Sequence, residues 1–172
     1  MSAPPLFSAA KSGDAAAVEA RKNAGDDLES CFAGHTPLAY AAQWEQKATV
    51  EKLLALGAKV DGVCVQDGIA STALRSACTA GNLEIVKLLV EHGANVDGVT
   101  HQGSKIQPLH AAASMPADAA LRPKKAAIVA YLLGKGANAN AKNEYGETAL
   151  QIAKKDGFTE AATALEAPPP AK

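Results

Sequence analysis

The sequence predicts an all-α fold, a solenoid of stacked helix-turn-helix units joined by long loops. A phrase that starts at Val and ends seven residues later at Gly occurs four times, at Val18, Val50, Val86 and Val129. The intervals of 32, 36 and 43 residues indicate a repeat of about 33 residues with additions. Of the 172 residues 48% are apolar, but only 4% are aromatic. This Ala-rich composition favours closely spaced helices that bury their apolar faces against neighbouring units.

The third unit shows the local pattern most clearly. Residues 72–80 are predicted to form a short helix that ends at Gly81, because Gly tolerates the positive φ of a tight turn. Residues 83–91 are apolar at helical spacing, and Gly93 follows where a helix commonly ends. The next residues are turn-rich and extended. The unit therefore reads as helix, tight turn, helix and long loop.

These residues resemble the ankyrin repeat. The stretches that carry the resemblance are Gly-His-Thr-Pro-Leu-Ala-Tyr-Ala-Ala (34–42), Ala-Gly-Asn-Leu-Glu-Ile-Val-Lys-Leu-Leu (80–89), Gly-Ala-Asn-Val-Asp (93–97), Pro-Leu-His-Ala-Ala (108–112), Gly-Ala-Asn-Ala-Asn (136–140) and Gly-Glu-Thr-Ala-Leu (146–150). They extend over about residues 6–166 in five units. The resemblance implies that partners bind a concave surface made by the loops, called fingers, and by the first helix of each unit.

The same pattern divides the chain into units at about 4–33, 34–68, 69–104, 105–143 and 144–167. We expect one domain over 1–167 and a disordered Pro-rich tail at 168–172, because consecutive prolines prevent a helix from continuing. In the first unit Arg21 and Lys22 occupy positions that other units give to Leu, which is typical of a solvent-facing end helix. We therefore expect a complete array and a small stand-alone protein.

Three segments depart from regular spacing. The fourth unit has eight additional residues within or beside 114–124, where two prolines disfavour a continuous helix and predict an enlarged loop. The second and third fingers carry additional residues near 63–68 and 99–104. Loops carry function more often than scaffold does, and they also tolerate neutral insertions. Both interpretations stay open here.

Composition and motifs argue against several other functions. The formal net charge of −1 gives no overall attraction to nucleic acid or to an anionic membrane, and we predict binding to neither. The first residues lack the basic and apolar regions of a secretory signal. The three cysteines include no Cys-x-x-Cys pair, which argues against a disulfide framework and points to a reducing compartment. We expect a cytoplasmic protein that is monomeric when free.

We find no motif for catalysis, a cofactor or a metal. Gly134, Gly136 and Ala139 formally fit a dinucleotide fingerprint, but they follow a predicted helix end, whereas that motif joins a strand to a helix start. The four histidines include no pair four residues apart on one helix, as a metal-binding face would need. We therefore predict that the protein is not an enzyme and holds no cofactor or metal.

The cysteines leave alternatives. Cys31 and Cys64 fall in fingers of adjacent units, where a disulfide or a shared metal is conceivable, but we favour independent free thiols because further metal ligands are not evident. Cys78 occupies a small buried position of a first helix, where Cys behaves as a modest hydrophobe.

Two aromatic residues are candidates for a binding surface. Tyr40 and Trp44 are four residues apart and so share one face of the first helix of the second unit. Large aromatic residues in an aromatic-poor chain are either core or binding hot spots. We favour packing for Tyr40 and leave both roles open for Trp44.

The remaining candidates follow from the resemblance or from charge. It implies that His110 forms a structural hydrogen bond where its finger meets the helix, although its place on the concave side also makes it a candidate contact. The basic residues from Arg122 form either a solvated loop or a contact for an acidic patch. The predicted partner-binding residues are Phe32, His35, Tyr40, Trp44, Gln66, Asp67, Arg75, Thr79, His101, Gln102, His110, Met115, Arg122 and Tyr145.

The leading function is a non-enzymatic module that binds another protein, with an inhibitor or a toxin-immunity factor as specific versions. One alternative is a small-ligand-binding protein or enzyme that uses the 114–124 loop as a lid over the groove beside His110. Another is a structural subunit that self-associates. The resemblance does not choose a partner, because a fold constrains only the shape of its binding surface.

Overall fold

A computed structural model describes residues 3–66, 69–101, 104–116 and 118–167. Within these residues the chain forms five helical hairpins in a row. Their helices are α1 (Pro5–Ser12), α2 (Ala15–Asn23), α3 (Pro37–Gln43), α4 (Lys47–Ala55), α5 (Ala73–Ala80), α6 (Leu83–Glu91), α7 (Pro108–Ala113), α8 (Arg122–Gly134), α9 (Ala149–Lys155) and α10 (Thr159–Glu166).

The hairpins stack in sequence order. The first helices of the units, α1, α3, α5, α7 and α9, contact one another in that order, and the second helices, α2, α4, α6, α8 and α10, form a second row behind them. Each first helix also packs on the second helix of its own unit. The predicted all-α solenoid is confirmed.

The valines of the recurring phrase lie on the second helices and form a buried apolar ridge. Val18, Val50, Val86 and Val129 are all 0% exposed. They belong to one apolar core that runs through all five units and also contains the leucines of the first helices, such as Leu38 and Leu74. Each unit thus closes its apolar face only against its neighbours.

Threonine side chains begin three of the five first helices. The hydroxyls of Thr36, Thr72 and Thr148 each accept a hydrogen bond from the amide three residues later. In the fourth unit Gln107 takes this place and provides no side-chain cap. The helix that follows, α7, has six residues and is the shortest helix in the described part of the chain.

Two of the fingers contain short antiparallel hairpins. Strand β1 (Cys64–Gln66) pairs with β2 (Ile69–Ser71), and β3 (Val99–His101) pairs with β4 (Ser104–Ile106). These are the segments with additional residues. The sequence predicts them as extended and turn-rich but does not predict the pairing, because three-residue strands are too short to show an alternating pattern.

The fourth inter-helix turn is enlarged, as the spacing predicts, and it contains a further short turn. After Ser114 the chain makes a 3₁₀ turn at Ala119–Leu121 and then enters α8 at Arg122, with Pro123 in the first helical turn. Pro is accepted there because the amide it lacks would have no helical partner. The predicted enlarged connection without a continuous helix is thus present before Arg122, and only the last residues of the segment belong to α8, which has 13 residues.

The expectation of free thiols at Cys31 and Cys64 is wrong. The structure joins them in a disulfide between the first two fingers, with their Cα atoms 5.5 Å apart. They are 33 residues apart, one repeat period, so the stacking of units in register brings equivalent finger positions side by side. Cys78 is free and fully buried as predicted, and burial raises the pKa of its thiol to about 12.

Gly134 is the last residue of α8, and Gly136 follows with a φ of 91°. This confirms helix termination there. No helix in the described ranges is long and apolar enough to cross a bilayer. The expected disordered tail, 168–172, lies outside the described residues.

Candidate functional site: an aromatic patch on the concave side

Five aromatic rings meet at the junction of the first two units. We call Phe7, Phe32, His35, Tyr40 and Trp44 the aromatic patch. Tyr40 is at its centre, with ring centroids 5.6 Å from Phe7, 5.9 Å from Phe32, 6.0 Å from His35 and 6.3 Å from Trp44. All four contacts are tilted or edge-on, the geometry that aromatic quadrupoles favour.

Local structure fixes each ring. Phe32 and His35 exchange two backbone hydrogen bonds, of 3.1 and 3.0 Å, around a turn in which Ala33 has a φ of 51°. The imidazole Nδ1 of His35 lies 2.7 Å from the carbonyl oxygen of Ala33. Tyr40 lies on α3, and Trp44 is the residue directly after that helix. A finger and a helix end therefore present one continuous aromatic surface.

The rings of the patch differ in their exposure to solvent. Phe7 is 1% exposed, and Tyr40 is half-buried against the core. Trp44 is 44% exposed. The packing role favoured for Tyr40 agrees with this placement, whereas the exposed ring of Trp44 is available for contact with a partner.

Lys11 extends the patch onto the first unit. Its Nζ lies 3.9 Å from the centroid of the Trp44 ring, a cation–π contact. An open groove of about 520 Å³ adjoins it, lined by Ala3, Ser8, Lys11, Ser12, Phe32 and Tyr40. The sequence candidates omit Phe7 and Lys11. Aligning the sequence of the first unit with that of the second would have placed Phe7 and Lys11 on the helix next to α3.

The histidine of the patch is held neutral. Burial lowers the pKa of His35, and the positive charge of Arg75 lowers it further, whereas the hydrogen bond to Ala33 acts in the opposite direction. Because the pKa falls below its ordinary value of 6.5, the imidazole is uncharged at neutral pH.

A second group of candidates lies around a cleft of about 220 Å³ between the third, fourth and fifth units. Arg75, His110 and Tyr145 line it together with Ser114 and Glu144. His110 is 8% exposed and its Nε2 lies 3.1 Å from the carbonyl oxygen of Glu147, which supports the structural role that the resemblance implies. Tyr145, 78% exposed, stands at the rim.

The remaining candidates are spread along the array. Thr79 is exposed and its hydroxyl donates to the carbonyl of Arg75. Met115 is partly buried, and its amide donates to Asp156 at 3.2 Å. Arg122 begins α8 at the enlarged turn. Gln66 and His101 end β1 and β3, but their side chains are not described, and Asp67 and Gln102 lie outside the described residues.

The described residues contain no cluster of three or more His, Cys, Asp or Glu side chains that could hold a metal ion. What the site offers is contact surface: a rigid aromatic patch with an adjacent cation, on the side where the first helices and fingers lie.

Comparison with known proteins identifies the family. A profile of three ankyrin repeats matches residues 60–122, and a profile of a single ankyrin repeat matches residues 33–67. The ankyrin repeat protein YahD of Escherichia coli (strain K12) is 30% identical over 189 aligned positions, covering 91% of this chain and 92% of YahD.

Two human proteins are similar over shorter shares of their length. Ankyrin repeat and SOCS box protein 11 is 33% identical, covering 79% of this chain and 38% of that protein. BCL-6 corepressor-like protein 1 is 33% identical, covering 72% of this chain and 6% of that protein. The profiles and the near full-length match to YahD establish that the chain belongs to the ankyrin repeat family.

Proposed function

We propose that this protein binds another protein on its concave side and that the aromatic patch is the anchor of that contact. The observation that carries the proposal is the exposed ring of Trp44, which is 44% exposed although four other rings hold the surface around it in place. Trp and Tyr in rigid, partly covered surfaces dominate the energy of protein interfaces.

The patch is arranged to bind without rearrangement. Edge-on ring contacts and the buried Phe7 ring fix Tyr40, so few side-chain rotamers remain to be lost when a partner covers the surface. Ankyrin repeats generally mediate contacts between proteins, and the resemblance assigns such contacts to the fingers and first helices. Among the residues predicted from the sequence, Phe32, His35, Tyr40 and Trp44 are brought together.

The test is paired affinity capture from the source cells. The unchanged chain should retain a partner protein in stoichiometric amount, and the Trp44→Glu variant should fail to retain that protein. Ala48→Glu is the matched control, because it adds the same charge at an exposed position of α4, on the second helix of the same unit. A partner retained equally by Trp44→Glu would contradict the proposal.

An inhibitor or a toxin-immunity factor is a narrower version of this function. It requires that the captured protein lose its activity when one equivalent of the unchanged chain is added. One equivalent of the Trp44→Glu variant should leave that activity intact. A partner that remains fully active while bound would instead indicate a scaffolding role.

A small-ligand function has one observation in its favour, the cleft beside His110 and Ser114. The described part of the 114–124 segment is anchored, however. Nζ of the buried Lys125 donates a hydrogen bond to the carbonyl of Ser114 at 2.9 Å, and the amide of Met115 donates one to Asp156 of the fifth unit. A metabolite that raises the melting temperature, and fails to do so after deletion of 116–123, would favour ligand binding.

We keep a cytoplasmic, monomeric state as part of the proposal. In a reducing compartment the Cys31–Cys64 disulfide should be formed only in part, because cytosolic thiol systems reduce such bonds. Alkylation of cells before lysis, followed by mass spectrometry, measures the oxidised fraction, and a fully oxidised pair would contradict a cytoplasmic location. A dimer in light scattering would favour the self-associating alternative.

A further inference from the structure

We infer that the aromatic patch, with Lys11, is built for an acidic segment of a partner protein in which a carboxylate stands close to a large apolar side chain. The inference rests on the proposed function and adds the chemistry of the partner. The apolar side chain would cover the exposed face of Trp44 or enter the groove beside Tyr40, and the carboxylate would pair with Lys11.

The charge of Lys11 is not neutralised within the described part of the chain. Its Nζ lies over the Trp44 ring and forms no ion pair with any described carboxylate. Two acidic side chains, one close to Lys11 in sequence and one next to Trp44, are engaged elsewhere. Asp14 caps α2 by accepting from the amide of Ala17 at 2.8 Å, and Glu45 accepts from the side chain of Asn82 at 3.0 Å.

Positive charge flanks the rings on both sides. Lys11 lies toward the first unit, and the guanidinium of Arg75, on the third unit, is close enough to lower the pKa of His35. Arg75 also lines the cleft that contains Glu144, so its charge is shared with that side. An acidic segment laid across α1, α3 and α5 would therefore meet Lys11 at one end of the aromatic surface, while Arg75 at the other end adds positive potential that it shares with Glu144.

The same arrangement disfavours a cationic ligand. An aromatic face binds an ammonium group well only if that face is free, and here Lys11 already occupies the face of Trp44 at 3.9 Å. A basic segment would have to displace Lys11 and meet its repulsion. An acidic segment instead gains an ion pair that strengthens as apolar groups exclude water from the surface.

The groove offers one charged contact. The Ser8 hydroxyl donates to the carbonyl of Ala3, and the Ser12 hydroxyl donates to that of Ala9, both at 3.2 Å, so these donors are already used. Among the described residues that line the groove, Lys11 is the one with a charged side chain. Recognition of a carboxylate there depends on this residue.

The experiment uses a phage library of tryptophan-free peptides, selected on the unchanged chain after depletion on Trp44→Glu. Because Trp44 is the single tryptophan of the sequence, its fluorescence reports peptide binding at the patch directly. The selected peptides should be enriched in Asp or Glu beside Phe or Leu. Their binding should weaken as salt rises from about 0.05 M to about 0.5 M.

Lys11 variants then test the assigned contact with the selected synthetic peptides. Lys11→Glu should weaken binding by about tenfold or more, and Lys11→Met, which keeps the apolar stem, by a smaller factor of about three. Lys22→Glu is the matched control, since it makes the same charge change at an exposed position of α2 and should alter affinity by less than about twofold. Peptides with Lys in place of the acid should regain affinity for Lys11→Glu.

Three results would overturn the inference: selected peptides without acidic enrichment, affinity for acidic peptides unchanged or raised by Lys11→Glu, or no peptide that prefers the unchanged chain to Trp44→Glu. Each leaves the proposed function to be judged separately by protein capture. Lys11 is exposed, so circular dichroism and melting of its variants should match the unchanged chain.

Discussion

At the scale of single residues, the aromatic patch shows how burial separates side chains of the same type. Phe7 forms the buried base of the patch and is 1% exposed, whereas Trp44 forms part of its surface and is 44% exposed. Stability should therefore depend on the first ring and binding on the second.

Phe7→Ala should lower the free energy of unfolding by about 3–5 kcal/mol, because it leaves a cavity beneath two other rings. Trp44→Ala should lower it by less, about 1–2 kcal/mol, since nearly half of that residue already contacts water. Urea denaturation followed by circular dichroism measures both changes. Equal losses would show that Trp44 is a core residue.

Two histidines, the partly buried His35 and the buried His110, predict a pH dependence of stability. Burial lowers the pKa of His35 and of His110 below the ordinary value of 6.5, so the unfolded chain binds protons more readily than the folded one. Their contribution to stability is complete above about pH 6.5 and is lost as pH falls through the lowered pKa values. The midpoint of urea denaturation should therefore fall below pH 6.5.

Replacing both histidines by Gln should flatten this part of the profile, because Gln keeps hydrogen-bonding ability without titrating. The same slope in the double variant would assign the pH dependence to other groups. His35 is predicted from the sequence only as a rim contact, since nothing local shows that a finger residue will be covered by a neighbouring unit.

At the scale of elements, the enlarged fourth turn supports the unit before it. A methyl group added at Gly81, where φ is 79°, would lie 3.3 Å from Cδ2 of Leu121. Leu121 thus packs on the inter-helix turn of the third unit. The sequence locates the insertion by counting, but its packing partner depends on which hairpins are neighbours in space.

Gly81→Ala should be more destabilising than Gly157→Ala. Gly157 has a similar φ of 72° in the turn of the fifth unit but has no atom within 4 Å of an added methyl group. Both changes should cost about 1–2 kcal/mol for the left-handed backbone, and Gly81→Ala should cost more because of Leu121. Urea denaturation of single and double variants with Leu121→Ala isolates the contact. If Gly81→Ala lowers the free energy of unfolding equally in the presence and absence of the Leu121 side chain, the contact between Leu121 and this turn does not add to the cost.

At the scale of the whole molecule, stability is a row of contacts between neighbours, and we propose that residues 1–167 unfold as one domain. The first unit has a neighbour on one side only. Its contacts with the second unit therefore decide whether it unfolds before the rest of the array. The Cys31–Cys64 disulfide crosses this junction and closes a loop of 33 residues.

Reduction, or the double variant Cys31→Ser and Cys64→Ser, should lower the free energy of unfolding by up to about 3–4 kcal/mol on loop entropy. It should also speed amide hydrogen exchange in α1 and α2 more than in α5 and α6, because the link acts at the first junction. Unfolding with and without reductant, and exchange read by mass spectrometry, measure these effects. A double variant that behaves as the oxidised chain would show that the pair does not stabilise the array.

The repeat, the order of helices and the apolar ridge follow from the amino-acid sequence, because each depends on contacts within a unit or between units that follow one another. The recurring valines and the closing glycines could be identified without coordinates. Only the tertiary structure decided that Phe7 and Lys11 join Tyr40 and Trp44, that Cys31 meets Cys64, and that Leu121 covers Gly81. These are contacts between residues about 30 or more positions apart, and their geometry is set by how closely and in what register the units stack.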